Sequence, residues 1–296
     1  MEQELKVLEE QKVDKGLIEA VAEFRAEHKV DESVKNRIIK PDMAFFGKEV
    51  LEMGIATLLK GENLLLTGPK ATGKNILAEN LAWIFARPVY NISFHVDTFE
   101  NNEVKLRKGS IYRCAEYGGF GILDEINMAK NDAVSVLHAT LDHRRSIDVP
   151  GYDKIEMDDA TRFIGTMNYG YAGTKELNEA LVSRFLVIDM PGQNEETLEY
   201  VFKTKFPTIK EEALKQWIGL FLDLQLKADN SEITTKALDL RGMIGALRTI
   251  SCGLKPSLAV KMGVVNKCFD IFEKEIVQDV VMTRIPESWN PGDVFE

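Results

Sequence analysis

The segment Leu64–Asn75, LLLTGPKATGKN, constrains the fold of this chain more than any other part of its sequence. An apolar run precedes the glycines, as in a buried parallel strand, and apolar residues recur at helical spacing after Asn75. Gly68 and Gly73 therefore lie between a strand and the start of a helix, where backbone N–H groups and the helix dipole favour a phosphate. Lys74 supplies a positive charge for the terminal phosphates. The sequence predicts a nucleotide-binding loop.

One position of this loop departs from the usual pattern, in which G-x-x-x-x-G-K is followed by Ser or Thr. The hydroxyl of that residue normally sits on Mg²⁺, and Asn75 stands in its place here. An asparagine carbonyl oxygen is a suitable hard ligand, but its longer side chain must ligate after a shift of the loop or through a water. The sequence therefore predicts a nucleotide site with a weakened or altered Mg²⁺ position.

The composition narrows the classes of protein that fit this chain. Its 296 residues, 45% of them hydrophobic, are enough for one large core or two modest ones. The net charge of −10 argues against general nucleic-acid binding, although a local basic pore is compatible with it. No run of about 18 apolar residues is present, so no membrane span is expected, and the acidic N-terminus does not resemble a secretory signal. The three cysteines have no paired or metal-like spacing, which indicates reduced thiols in a cytoplasmic protein.

The chain divides into three zones. Residues 1–41 form a charged helical arm, which either packs on a neighbouring molecule or stays solvated; its apolar residues at near-helical spacing are Leu5, Leu8, Val13, Leu17, Val21 and Phe24. Residues 42–191 alternate strands and helices, which predicts an α/β fold with a parallel sheet between helices. Residues 192–296 follow a Pro-Gly break and read as helices throughout. The predicted strands are Leu64–Thr67, Val89–Phe94, Gly121–Asp124, Arg162–Thr166 and Phe185–Met190.

An acidic pair ends the third of these strands. Carboxylates at the end of a buried strand lose hydration unless a metal or a hydrogen-bond donor compensates, so Asp124 and Glu125 indicate a working site. In that interpretation Asp124 holds the Mg²⁺ shell and Glu125 polarises the attacking water. The alternative is an acidic cap, with Asp124 at the start of a helix near Ile126.

Two further polar residues accompany predicted strands. An amide both donates and accepts, so Asn168 can orient the lytic water or touch the γ-phosphate, although an asparagine next to glycine is also common in ordinary turns. Arg184 precedes the last strand, where an arginine can insert in trans into the site of a neighbour. The alternative for Arg184 is a surface arginine.

Along this chain, the phosphate loop is followed in order by LDE, TMN and LVSRF, and then by a helical tail. This order resembles that of the AAA+ ATPases. The resemblance is closer to the MoxR-like group of the dynein-related AAA type, which includes the CbbQ/NorQ and GvpN proteins, and it covers about residues 42–250. It implies a P-loop NTPase sheet with strand order 5-1-4-3-2 and flanking helices, followed by a small all-helical lid domain.

The same resemblance assigns roles to individual residues. It implies that Arg184 is an arginine finger and that Arg241 is a sensor 2 that reaches the γ-phosphate from the lid. The expected catalytic residues are Lys74, Glu125, Asn168 (sensor 1), Arg184 and Arg241, and the expected metal ligands are Asn75 and Asp124. The expected nucleotide-binding residues are Phe46 and Gly47 at the adenine pocket, and Gly68, Pro69, Lys70, Ala71, Thr72, Gly73, Lys74, Asn75 and Ile76 in the loop.

Two loops carry charges in positions where this group faces a ring pore or a client. A hairpin is predicted from Ser146–Val149 and Lys154–Met157, which flank the turn at residues 150–153. A shorter insertion gathers four basic residues, Lys105, Arg107, Lys108 and Arg113. These charges either contact a client or merely solvate a loop.

The resemblance implies a cytoplasmic ATPase that uses ATP and Mg²⁺ and forms a hexameric ring. The ring would remodel, activate or assemble a client protein, together with a von Willebrand factor A partner. Two alternatives stay open. One is a nucleic-acid-associated or GTP-using motor on the same fold, and the other is a nucleotide switch without hydrolysis, suggested by Asn75.

Overall fold

The computed structural model describes residues 3–93, 109–129, 131–147, 154–169 and 177–296. The chain forms two compact units. The first comprises Met1–Pro69 and Gly73–Met190, and the second comprises Lys70–Thr72 and Pro191–Glu296.

The first unit is built on a parallel sheet and a short hairpin. The strands are β1 (Leu64–Gly68), β2 (Val89–Ser93), β3 (Phe120–Asp124), β4 (Ser146–Ile147), β5 (Ile155–Glu156), β6 (Arg162–Asn168) and β7 (Leu186–Asp189). Five of them form the sheet in the order β2-β3-β6-β1-β7, and every neighbouring pair is parallel. Counted along the sheet strands alone, this is the predicted order 5-1-4-3-2, and the predicted fold class is confirmed.

The strand limits differ from the predicted ones for physical reasons. Strand β6 runs on to Asn168 because its pairing with β1 continues to the level of Gly68. The predicted end of β2 at Phe94 lies outside the described residues, as do the hairpin turn at residues 150–153 and the basic residues Lys105, Arg107 and Lys108. The described parts of the hairpin pair in antiparallel register, with Ser146 opposite Glu156.

Helices cover the sheet and fill the remainder of the first unit. They are α1 (Gln3–Glu10), α2 (Lys15–Glu27), α3 (Lys48–Leu59), α4 (Lys74–Ile84), α5 (Ser110–Glu116), α6 (Asn131–Thr140) and α7 (Glu179–Val182). Arg113, predicted in a basic insertion, lies in α5. The strand β1 is buried along nearly its whole length, which explains its continuous apolar sequence.

The first two helices belong to the core of this unit. Leu8 and Val21 are fully buried and join the same apolar cluster as residues of α3, α4 and β1. The Phe24 ring meets the Phe85 ring edge to face, with 5.1 Å between their centroids. The sequence left open an arm that packs on a neighbour or a solvated helix. In the structure, the apolar face of these helices is buried against the rest of their own unit.

The second unit is helical. Its helices are α8 (Glu195–Lys205), α9 (Glu211–Asp229), α10 (Leu240–Ser251), α11 (Pro256–Gly263), α12 (Ile271–Arg284) and α13 (Pro291–Val294). Asparagine and aspartate side chains cap several of their N-termini, as Asp239 does by accepting from the Gly242 N–H. Residues 190–296, all of them described, contain no strand beyond one isolated bridge between Ile209 and Phe295. Within the described ranges, no helix has both the length and the apolarity needed to cross a membrane.

Candidate active site

The site starts where the central strand β1 ends. Gly73 immediately precedes α4 and has φ of +88°, in the left-handed region that favours glycine. No side chain caps the first turn of α4 in the part of the chain that is described. Backbone N–H groups at such a helix N-terminus suit an anion. The local structure therefore fits the phosphate loop that the sequence predicts.

Lys74 is a buried cation in this loop. Its Nζ donates to the carbonyl oxygens of Gly68, at 2.9 Å, and of Pro69, at 2.6 Å. Burial lowers the pKa of Lys74 to about 8, while the carboxylates of Asp189, Asp124 and Glu125 act in the opposite direction. A buried ammonium is costly unless anions compensate it, so the surroundings of Lys74 favour binding of a phosphate.

The acidic pair lies at the same edge of the sheet. Asp124 ends β3, and its Oδ1 accepts from the Thr166 hydroxyl at 2.7 Å and from Asn75 Nδ2 at 3.2 Å. The next residue, Glu125, adopts a left-handed backbone conformation with φ of 50°. Glu125, not Asp124, precedes the short helical turn at Ile126, and its side chain makes no cap hydrogen bond there. The helix-cap alternative for Asp124 is therefore not what the structure shows.

Asn168 connects the acidic pair to the end of β6. Its Nδ2 donates to Glu125 Oε1 at 3.1 Å, and its own carbonyl accepts from Asn127 Nδ2 at 3.4 Å. Asn168 is the last residue of a strand, so the alternative of an ordinary turn asparagine does not describe it. The amide of Asn168 thus holds one carboxylate oxygen of Glu125.

Sequence reasoning missed three residues of this cluster, namely Thr166, Tyr169 and Asp189. Asp189 ends β7, and its Oδ1 accepts from the hydroxyls of Thr67 and Tyr169, at 3.2 Å and 2.6 Å. The Asp189 hydrogen bond raises the pKa of Tyr169. A carboxylate at the end of a predicted strand, in VIDM, was the available signal for Asp189.

The segment predicted at the adenine pocket lies beside α4. Gln11 holds it at two points, donating to the Phe45 carbonyl at 2.6 Å and accepting from the Gly47 N–H at 3.0 Å. Asn80 of α4 accepts from the Phe45 N–H at 3.0 Å. A Cβ atom at Gly73 would lie 3.4 Å from the Phe45 ring. The segment Phe45–Gly47 is therefore fixed next to the phosphate loop.

Arg184 lies near the amino ends of the parallel strands, whereas the phosphate loop follows the carboxyl end of β1. Leu64 pairs with Leu186, and the Arg184 carbonyl accepts from Asn63 Nδ2 at 3.1 Å, so Arg184 is level with the beginning of β1. The loop begins where β1 ends, about five residues or roughly 16 Å further along the strand. Arg184 therefore does not join the polar cluster of its own chain.

The surroundings of Arg184 are polar. Its guanidinium donates to the Ala180 carbonyl and lies 3.7 Å from Asp142 Oδ2, while Arg144 Nε donates to Asp142 Oδ1 at 2.8 Å. The hydrogen bonds that the side chain and the backbone N–H of Arg144 donate to Asp142 lower the pKa of this carboxyl to about 2. Arg184, Asp142 and His143 line a cavity of about 470 Å³.

The remaining predicted residues belong to the second unit. Lys70, Ala71 and Thr72 are grouped with that unit, where Gln193 Nε2 donates to the Ala71 carbonyl at 2.8 Å. Arg241 is exposed in the first turn of α10.

The donor set near the loop fits Mg²⁺ bound together with a nucleotide. Among the described residues there is no group of three or more His, Cys, Asp and Glu that could hold a metal by itself. Mg²⁺ is usually held by one or two protein ligands together with substrate phosphates and waters. The Asp124 carboxylate and the Asn75 amide, joined by a hydrogen bond, supply oxygen ligands of that kind.

A parallel sheet of order 5-1-4-3-2, with a glycine-lysine loop after its central strand and an acidic pair after the neighbouring one, defines a P-loop nucleotide-binding protein. Residues 63–185 match the AAA domain of the dynein-related subfamily. Protein YojN of Bacillus subtilis (strain 168) is 31% identical over 249 residues, which cover 79% of this chain and 82% of that protein. This chain belongs to the dynein-related AAA family.

Other similarities are more distant. Protein SERP0979 of Staphylococcus epidermidis is 27% identical over 248 residues, covering 78% of this chain and 94% of that protein. It and YojN are both described as uncharacterized. Among solved structures, a mutant of Thermotoga maritima RuvB is 16% identical, with a TM-score of 0.47, and the alignment covers 81% of this chain and 71% of RuvB. That degree of similarity says nothing about function.

Proposed function

We propose that this protein hydrolyses ATP in a hexameric ring and uses the energy to remodel, activate or assemble a client protein, as MoxR-like AAA+ proteins do. The observation that carries the proposal is the polar cluster in which Lys74, Asp124, Glu125 and Asn168 meet at one edge of the sheet. The proposal includes a cytoplasmic location, a von Willebrand factor A partner and a lid role for residues 192–296.

Lys74 would bind the terminal phosphates. In the structure its ammonium donates to the carbonyl oxygens of Gly68 and Pro69, which are weaker hydrogen-bond partners than a phosphate oxygen. The N-terminus of α4 would receive the same phosphates through backbone N–H groups. Asp124 and Asn75 would hold Mg²⁺, and the bound metal would supply positive charge against the negative charge that develops during transfer.

Glu125 would orient the attacking water and accept its proton. Asn168 holds one carboxylate oxygen of Glu125 at 3.1 Å, which fixes the direction of the other. A general base must lie within hydrogen-bond reach of the proton that it removes. The position of Glu125 beside the loop, at the end of β3, supports this role.

Arg184 would act on the site of a neighbouring subunit. Its place level with the start of β1 keeps it roughly 16 Å from the loop of its own chain, and an arginine side chain does not span that distance. A group that completes the site of another copy requires an oligomer with its sites at the interfaces. Arg241 would contribute a second cation from the helical unit.

The alternative of a nucleotide switch without hydrolysis has one observation in its favour. Asn75 stands where such loops carry a hydroxyl for Mg²⁺, and its amide nitrogen donates to Asp124 Oδ1 instead. Hydrolysis assays with ATP and with GTP, in the presence and absence of Mg²⁺, distinguish the switch from the ATPase and from a GTP-using motor. ATP turnover that requires Mg²⁺ is the expected result.

Lys74→Ala should weaken ATP binding by on the order of 100-fold, because the charged hydrogen bonds of one ammonium contribute about 2–3 kcal/mol. Calorimetry and thermal protection by ATP measure the effect. Lys60→Ala, which removes an exposed lysine at the end of α3 and outside the loop, serves as the matched control and should have a much smaller effect. Equal thermal protection of wild type and Lys74→Ala would place the phosphate site elsewhere.

Asn75→Thr should lower the Mg²⁺ concentration needed for half-maximal activity and leave hydrolysis equal or faster. A threonine hydroxyl would replace the amide as a compact Mg²⁺ ligand, an improvement of about 1 kcal/mol or roughly fivefold. Titration of the ATPase rate with Mg²⁺ measures it. A fall in activity would mean that the asparagine, with its hydrogen bond to Asp124, is a working part of the site.

A further inference from the structure

We propose that Thr166 is a positioning residue that sets both members of the acidic pair for hydrolysis. The inference rests on the proposed function and adds a residue to it. Thr166 lies in β6, two residues before Asn168, and only 2% of its surface is exposed.

The Thr166 hydroxyl bonds to both acidic residues at once. It donates to Asp124 Oδ1 at 2.7 Å and accepts from the Glu125 N–H at 3.3 Å. A hydroxyl carries one donor and two acceptor lone pairs, so it can make both bonds, whereas an isosteric valine can make neither. The side chain of Thr166 therefore couples the carboxylate of Asp124 to the backbone of Glu125.

The bond to Glu125 stabilises an unfavourable backbone. With φ of 50° and ψ of 51°, Glu125 occupies the left-handed region, which is unfavourable for a residue with a Cβ. Thr166 holds the N–H of Glu125, and Asn168 holds its carboxylate. Strand β6 thus fixes Glu125 at two points, and loss of either one should let the catalytic carboxylate turn away.

The bond to Asp124 would set which of its carboxylate oxygens is available to Mg²⁺. Oδ1 already accepts from Thr166 and from Asn75, so Oδ2 is the oxygen better placed to ligate Mg²⁺. The loop lacks the usual hydroxyl because Asn75 stands in its place. The Thr166 hydroxyl, on the neighbouring strand, therefore orients the metal-binding carboxylate in a site where the loop supplies an amide.

This arrangement predicts a specific pattern for Thr166→Val. The variant should lower kcat by about tenfold and raise the half-saturating Mg²⁺ concentration several-fold, as expected for loss of one hydrogen bond to a charged group. Affinity for ADP in the presence of EDTA should stay within about twofold, because the valine leaves Lys74 and the N-terminus of α4 unchanged. Thr166→Ser, which keeps the hydroxyl, should restore both kcat and the Mg²⁺ requirement.

A matched control separates this role from the general cost of losing a buried hydroxyl. Thr161 is also buried, at 1% exposure, and its hydroxyl donates to the carbonyls of Cys114 and Ala115, away from the acidic pair. Thr161→Val should lose stability to a similar degree and leave the Mg²⁺ requirement unchanged. If Thr166→Val does not fold, Thr166→Ala removes the same hydroxyl with a smaller side chain and gives the same readouts.

The experiment measures ATP turnover and, separately, the Mg²⁺ dependence of ADP binding by calorimetry. A Thr166→Val variant with wild-type kcat and wild-type Mg²⁺ requirement would overturn the inference, as would an equal change in Thr161→Val. Absence of ATP turnover in the wild type would count against the proposed function alone. The Mg²⁺ dependence of ADP binding would still decide the role of Thr166.

Discussion

Arg184→Ala should hydrolyse ATP about 10³-fold or more slowly than the wild type while binding nucleotide nearly normally, because an arginine supplied in trans contributes on the order of 10³–10⁵ to kcat. In the proposed role, the arginine would act on charge that develops in the transition state, so its loss should affect turnover more than ground-state affinity. Arg184 precedes the amino end of β7, whereas the loop follows the carboxyl end of β1, and this position supports action on a neighbour. Steady-state kinetics and nucleotide titration measure the two quantities separately.

Arg144→Ala is a matched control for this experiment. Arg144 contacts the same carboxylate as Arg184, that of Asp142, but 73% of its side chain is exposed. If disruption of the Asp142 ion pairs were the cause of a lost activity, Arg144→Ala would lose activity as well. We expect near-normal turnover, because exposed ion pairs contribute little to stability.

Mixed rings test the trans assignment directly. Arg184→Ala and Glu125→Gln should each be nearly inactive alone, since each removes one half of every shared site. In a random equal mixture, about a quarter of the interfaces would pair an intact Glu125 with an intact Arg184 from the next subunit, and activity should recover accordingly. An arginine that acted in cis would give no recovery in mixtures shown to assemble together, and that result would remove the trans assignment.

Glu125→Gln should lower kcat by about 10²–10⁴ with little change in ATP affinity, because an amide cannot accept the proton of the attacking water. The glutamine Oε1 can still accept the hydrogen bond from Asn168, so the local structure should be retained. Single-turnover hydrolysis and ATP titration report the two effects. Glu62→Gln, at an exposed position near the beginning of β1, provides a control with the same chemical change.

A different outcome would reassign the carboxylate. Loss of ATP binding in Glu125→Gln would indicate a structural role, for example in holding the left-handed turn that follows β3. Unchanged turnover would show that another group activates the water, and Asp189, whose carboxylate also acts on Lys74, would then be the next carboxylate to examine.

The sequence by itself determined the sheet strands and the composition of the loop. A short, continuously apolar run followed by glycines and a helix is typical of a buried strand, and Leu64–Gly68 forms such a strand. Asp124 and Asn168 were identifiable because parallel strands bring their carboxyl ends to one edge, so polar residues at those ends are expected to meet. The strands and the loop depend on residues that are close in the sequence. The meeting of Asp124 and Asn168 depends on the rule that parallel strands end on the same side of the sheet.

Only the tertiary structure decided the contacts between distant segments. The spacing of Leu8 and Val21 indicated an apolar helix face, but a pattern does not specify what covers that face, and their own unit covers it. Thr166 and Asp124 are 42 positions apart, and a threonine in a strand carries no signal that its hydroxyl will reach a particular carboxylate. The register of β7 on β1 placed Arg184 away from its own loop. Hydrogen bonds and strand register depend on where the folded chain brings its segments together, and periodicity along the sequence does not contain that information.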